Sequence, residues 1–280
     1  MFHKKIGVAL LFAVSISSFI AIFIFYSLAS TSSLGAWNPR TSIVFYDGAL
    51  GGTPNEQDMA YETEGIPFSQ VTQTFSNGAT TLDSTANILD YAGYGITTTL
   101  VPTLEPIMGF QLNFTAQVIS ETHDVDNRAG FSVILLGEDL QGIELAFWEG
   151  KISAQEGGTT NLFSFAESVN FDATAELTDY TLEIIGGRYV LRAEGVYLLD
   201  GPVRDYTAWV PPVGAPADPY EQPNFVFLGD NSSQGKSRIR LSYVELMIGT
   251  FGPLTITSSP TPTLTPTPAF KLTLPMIIRE

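Results

Sequence analysis

Glu144 and Glu149 flank Trp148 in the stretch GIELAFWEGKISAQ, residues 142–155. Two carboxyl groups can cleave a glycosidic bond, one as acid and one as nucleophile, when they stand about 5–5.5 Å apart. The same stretch could instead bind a sugar, because an aromatic ring with fixed polar neighbours makes a platform. It could also be plain sheet. The choice depends on the elements that position these side chains.

Glu149-Gly150 fits a two-residue hairpin turn. Pairing across it sets Trp148 opposite Lys151, Phe147 opposite Ile152, Ala146 opposite Ser153, Leu145 opposite Ala154 and Glu144 opposite Gln155. Leu145, Phe147, Ile152 and Ala154 then share an apolar face. Glu144, Ala146, Trp148, Lys151, Ser153 and Gln155 share a wetter one. Glu149 lies in the turn and points to solvent, away from Glu144.

A second hairpin follows in YTLEIIGGRYVLRAEGVYLLDG. Gly186-Gly187 can take the positive φ angles of a tight turn. Ile184 opposes Tyr189 and Leu182 opposes Leu191 on the inner face, while Thr181 opposes Arg192 outside. Glu194-Gly195 turns into a third strand. Further strand candidates are SIVFY, TQTF, GFQLNFTAQVI, AGFSVILLG, NFVFLG and SRIRLSYVELMI. In the last, Ile239, Leu241, Tyr243 and Glu245 alternate with Arg238, Arg240 and Ser242. Many short strands with no amphipathic helix predict an all-β domain over residues 40–250, with two packed antiparallel sheets.

Composition narrows the chemistry. The chain has 13 Lys and Arg against 29 Asp and Glu, a formal charge of −16. Such a surface repels phosphate backbones, so nucleic acid is not an expected partner. Cysteine is absent, which removes disulfides, thiolate nucleophiles and Cys-based zinc sites. Of the two histidines, His3 lies in the leader and only His123 is left for the domain. No G-x-S-x-G sequence accompanies it.

Both ends speak about location. MFHKK precedes an uncharged run from Ile6 to Ser30. That pattern predicts an export signal over residues 1–30. Its length also suits a membrane-spanning helix, with the lysines cytoplasmic and the domain outside. If the signal is cleaved, the protein is secreted. Residues 256–269 are a Thr-Pro run that cannot pack a core and should form an extended stalk. Residues 270–280 are a short apolar tail, similar to tails that follow such stalks in some bacterial exported proteins.

The segments RAGFSVILLGEDLQGIELAFWEGKISAQ, YTLEIIGGRYVLRAEGVYLLDGPVRDYTA and PNFVFLGDNSS resemble the domain core of certain bacterial exported proteins with a concanavalin A-like, or laminin G-like, sandwich. The resemblance implies a concanavalin A-like jelly-roll sandwich with a curved concave sheet, and the leader adds an N-terminal hydrophobic helix. Related β-glucanases carry E-x-D-x-x-E on one strand. Here Glu144, Ala146 and Glu149 match it, so the helper acid is missing. No catalytic residue is assigned on that basis.

The leading expectation is non-catalytic binding of a polysaccharide or cell-surface glycan. Candidate contacts are Glu144, Trp148, Ser153 and Gln155, with Tyr206, Trp209 and Tyr220 from the Pro-rich loop RDYTAWVPPVGAPADPYEQPNF. A structural or adhesive surface protein without a small ligand is the first alternative, and a β-glucanase-type hydrolase the second. Calcium is a candidate cofactor, held by Asp124, Asp126 and Asn127 with Asp230. EF-hand spacing is not met, since Arg128 falls where a ligand is required.

Overall fold

A computed structural model describes residues 37–65, 68–96, 101–211 and 218–251. The expected leader (1–30), stalk (256–269) and tail (270–280) lie outside the described residues. One compact unit runs from Ala36 to Gly252. Among the described residues no helix is long and apolar enough to cross a membrane.

The strands, numbered along the chain, form two antiparallel sheets. The first contains β1 (Trp37–Asp47), β3 (Thr72–Ser76), β4 (Ala79–Asp83), β6 (Phe110–His123), β11 (Thr178–Ile185), β12 (Arg188–Ala193), β13 (Val196–Pro202) and β16 (Gly235–Phe251). The second contains β2 (Ala60–Glu64), β5 (Tyr91–Ile96), β7 (Ser132–Leu136), β8 (Gln141–Phe147), β9 (Lys151–Gln155), β10 (Phe165–Asn170), β14 (Arg204–Asp205) and β15 (Val226–Asp230). The spatial orders are β13-β12-β11-β6-β16-β4-β3, with β1 also on β16, and β10-β9-β8-β7-β15-β5-β2, with β14 on β8. This is the expected all-β sandwich of two antiparallel sheets.

Alternation explains the first sheet. Along β6, Phe110, Leu112, Phe114, Ala116 and Val118 are buried, while Gln111, Asn113, Thr115 and Gln117 are half-buried on the opposite face. The inward set meets Val133, Leu135, Leu145 and Phe147 of the second sheet in one core. Phe114 stacks on Tyr180 at 5.0 Å and meets Phe147 edge-on at 6.1 Å. Each Leu or Phe so buried contributes about 1.5–3 kcal/mol.

The hairpins form in the expected register. Leu145 pairs with Ala154, Ala146 with Ser153 and Phe147 with Ile152, and Ile184 with Tyr189, Leu182 with Leu191 and Thr181 with Arg192. Gly186 and Gly187 take φ of 55° and 77°, as their turn requires.

Two local expectations are corrected. The Glu144–Gln155 pair is not made. The Tyr206 hydroxyl stands between the strands instead, accepting from the Glu144 amide at 3.1 Å and donating to the Gln155 carbonyl at 2.7 Å. Strand β16 also breaks its alternation: Leu241 pairs with Ala116, but Tyr243 pairs with Thr115, with a bulge at Ser242. The bulge turns Tyr243 and Glu245 outward, while Val244 and Leu246 join the core.

Candidate functional site

The expected wetter face of the second sheet is a second, smaller core. Ile134, Leu136, Tyr206, Tyr220, Phe225 and Phe227 cluster there, with Leu162, Phe163 and Trp209 packed against them. The chain after β14 folds back over the sheet, and Asp218 caps a 3-10 turn by accepting from the Tyr220 amide at 2.8 Å. That turn drives the Tyr220 ring inward.

Glu144 lies beneath this cover with no exposure to solvent. Arg128 Nη1 is 3.2 Å from its Oε1. Tyr220 donates to its Oε2 at 2.5 Å and Ser132 to its Oε1 at 3.2 Å. Arg128 also donates to the Asn231 carbonyl at 3.0 Å and lies 4.4 Å from the Phe163 ring centre. Burial works against the Arg128 charge, but Glu144 and Tyr220 outweigh it and raise the guanidinium pKa. Burial pushes the Tyr220 phenol well up, and the Glu144 charge adds to it.

The proposed sugar platform is therefore corrected. Glu144, Ser153, Gln155, Tyr206 and Tyr220 are sealed off, and Trp148 is 5% exposed. Ser153 Oγ meets Ser168 Oγ at 2.5 Å. The Gln155 amide nitrogen, oriented to donate, reaches the Phe163 carbonyl at 2.9 Å and the Asn127 carbonyl at 3.0 Å. Lys151 Nζ covers Trp148, 4.2 Å from its ring centre. Trp209 is half-buried edge-on against Tyr220, 5.6 Å between ring centres. The physical reason is hydrophobic: the loop aromatics bury themselves on a sheet face that is itself apolar at Ile134, Leu136 and Phe227.

The four calcium candidates do not form a ligand set. Among the described residues no three acidic, His or Cys side chains converge on a metal position. Asp124, Asp126 and Asn127 follow β6 in a turn, where Asn127 donates to the Phe163 carbonyl at 2.9 Å. Asp230 is buried at the end of β15, with Ser84 Oγ 2.5 Å from its Oδ2 and the Ser232 amide donating to its Oδ1 at 3.1 Å. Burial pushes the Asp230 carboxyl well above its ordinary range.

An open concavity lies on the other sheet. A groove of about 600 Å³ is lined by Asp47, Asn113, Thr115, Asp179, Tyr243 and Glu245, among others. Cross-strand register builds it. Asp47 of β1 faces Tyr243 of β16, Tyr243 faces Thr115 of β6, and Thr115 faces Asp179 of β11. A parallel row runs Val44, Glu245, Asn113, Thr181 and Arg192. Ala49 and Gly78 line one side, and Gly48 lets them approach: a Cβ on Gly48 would stand 1.9 Å from the Gly78 carbonyl oxygen.

Hydrogen bonds fix these side chains. Ser42 donates to Glu245 Oε1, and Asn113 Nδ2 donates to Glu245 Oε2 at 2.8 Å. Asn113 Oδ1 accepts from Gln111 at 2.6 Å and from Thr181 at 3.3 Å. Thr115 donates to Asp179 Oδ1 at 2.6 Å. Partial burial raises the Tyr243 phenol pKa, and the Glu245 and Asp47 charges raise it further.

Sequence reasoning missed this face. The polar alternation of Gln111, Asn113, Thr115 and Gln117 was a signal for it. The Ser242 bulge had none.

No protein-family model matches the chain, and no curated protein matches it. Solved structures with a similar fold include an endo-β-1,3-glucanase from Pyrococcus furiosus, at 11% identity over 78% of this chain and 97% of that one, with a TM-score of 0.49. Another is a protein of unknown function with a galectin-like fold from Bacillus subtilis, at 8% identity over 78% and 100% of the two chains, with a TM-score of 0.47. A family 29 carbohydrate-binding module, a point mutant complexed with cellulohexaose, is similar at 11% identity over 75% and 92%, with a TM-score of 0.33. At these identities and scores the likeness carries nothing about residues or ligands.

Proposed function

We propose that this is an exported, non-catalytic binding protein with glycan as its ligand class, and that it binds through the groove on the outer face of the first sheet. One observation carries the reading: Asp47, Tyr243, Thr115 and Asp179 line up across four strands in an open groove. An aromatic ring between polar groups held by their own hydrogen bonds is what a sugar site needs. The leader sequence supports export. The hydrolase reading loses its acid, because Glu144 is sealed and paired with Arg128 while Glu149 sits exposed in its turn.

The test is a broad glycan screen with the full-length protein, followed by Tyr243→Ala. The variant should lose binding at least tenfold while its melting temperature stays near that of the wild type, since Tyr243 is only half-buried. A screen without a hit, or a variant that binds as well as wild type, rejects the reading.

A further inference from the structure

The groove has spent most of its hydrogen-bond donors on itself. Asn113 gives its amide nitrogen to Glu245, Thr115 gives its proton to Asp179, Thr181 gives its own to Asn113, and Ser42 gives its own to Glu245. Acceptors are left over. Asp179 uses Oδ1 for Thr115, and Asp47 uses Oδ1 for the Ala49 amide at 2.8 Å. Among the described residues neither Oδ2 has a protein partner, and the cation in these two rows, Arg192 at the end of the second, is paired with Glu183 at 3.0 Å. The two aspartates end one cross-strand row, and three strand spacings put them about 14 Å apart. That is the span of a short oligosaccharide, with the Tyr243 ring between its ends.

A surface that offers acceptors calls for a ligand that offers donors. A sugar hydroxyl brings two lone pairs with its one proton, and those lone pairs would face carboxylates. A uronate or sulfate brings acceptors alone and adds like-charge repulsion. A protonated amine brings three donors and no acceptor, and its hydrogen bonds to carboxylate are charge-assisted. We infer that the groove selects amino-bearing saccharides, a linear hexosamine polymer with free amines, over neutral or acidic ones. This inference rests on the glycan-binding reading of the same groove.

The test compares three probes on the full-length protein by calorimetry at low salt: a glucosamine hexamer with free amines, its fully N-acetylated counterpart, and a galacturonate hexamer. The free-amine probe should bind at least tenfold tighter than the N-acetylated one, and the galacturonate should not bind. Raising the salt should shrink the preference. In the double variant Asp47→Asn and Asp179→Asn the preference should fall at least tenfold. Each Asn keeps the Oδ1 acceptor that Ala49 and Thr115 use, so the groove should hold its shape. The chain's overall charge of −16 attracts any polycation. Glu138→Gln with Glu221→Gln, exposed carboxylates away from the groove, controls for this and should leave the preference intact.

Equal binding of the free-amine and N-acetylated probes overturns the inference and leaves the glycan reading standing. So does an equal loss in the control variant, which would mean general attraction. Tighter binding of galacturonate also overturns the inference. No binding of any probe rejects the inference, and the glycan reading falls with it only when the broad screen also finds no ligand.

Discussion

Arg128 carries its charge into a place that water hardly reaches, at 8% exposure, and Glu144 answers it from a position with none. A buried pair of this kind contributes little net stability as a pair, but removing one member strands the other. Arg128→Ala should destabilise the protein by about 3–5 kcal/mol, measured by urea unfolding. A loss below about 1 kcal/mol would show that the pair is solvated. Asp230 makes a different prediction. Its folded pKa is raised by burial, so above its unfolded value of about 3.9 the native state still holds a proton that the unfolded chain has released. Stability is full below that pH and declines as pH rises toward the folded value. A protonated Asp230 fits its partners: Ser84 Oγ can accept its proton and donate its own to the Ser237 carbonyl at 3.1 Å. Asp230→Asn should therefore match wild type near pH 4 and gain on it steadily toward neutral pH. Parallel melting-temperature curves across that range would show that Asp230 does not hold the proton.

Strands decide what single residues can reach. The apolar runs of β7 and β15, SVILL and VFLGD, are buried on both faces. A strand without polar alternation is covered twice. Those two runs held the clue that the Glu144 face is capped, although the hairpin beside them alternates. The register of both hairpins was legible because period-two pairing is local, and Gly186-Gly187 also shows the positive-φ turn chemistry. The Asn77-Gly78 turn between β3 and β4, with φ of 52° and 72°, is an equally strong local signal. One prediction belongs here. Gly48→Ala places a Cβ against the Gly78 carbonyl. Backbone must move there, so the groove wall should open, with binding to Tyr243's face reduced and the melting temperature lowered by several degrees. A variant with unchanged melting and unchanged binding would show that the wall is soft.

The sandwich closes one sheet face and leaves the other open. The Tyr243-bearing face is open to solvent, while the Arg128–Glu144 face is covered by the aromatic loop. Much was fixed by the chain's own pattern: the all-β class, the strand faces, the turns, the acidic balance and the absence of cysteine chemistry. Each of these follows from residues that are neighbours in sequence, through side-chain alternation, positive φ and net charge. Tertiary structure alone decided which polar face stays wet. It did so because Tyr206 and Tyr220 arrive from a loop more than 60 residues beyond Glu144 and bury apolar surface that β8 and β9 do not advertise. It also built the groove, whose row takes Asp47, Thr115, Asp179 and Tyr243 from four distant segments. Long-range register and one bulge, neither encoded in any short window, put them side by side.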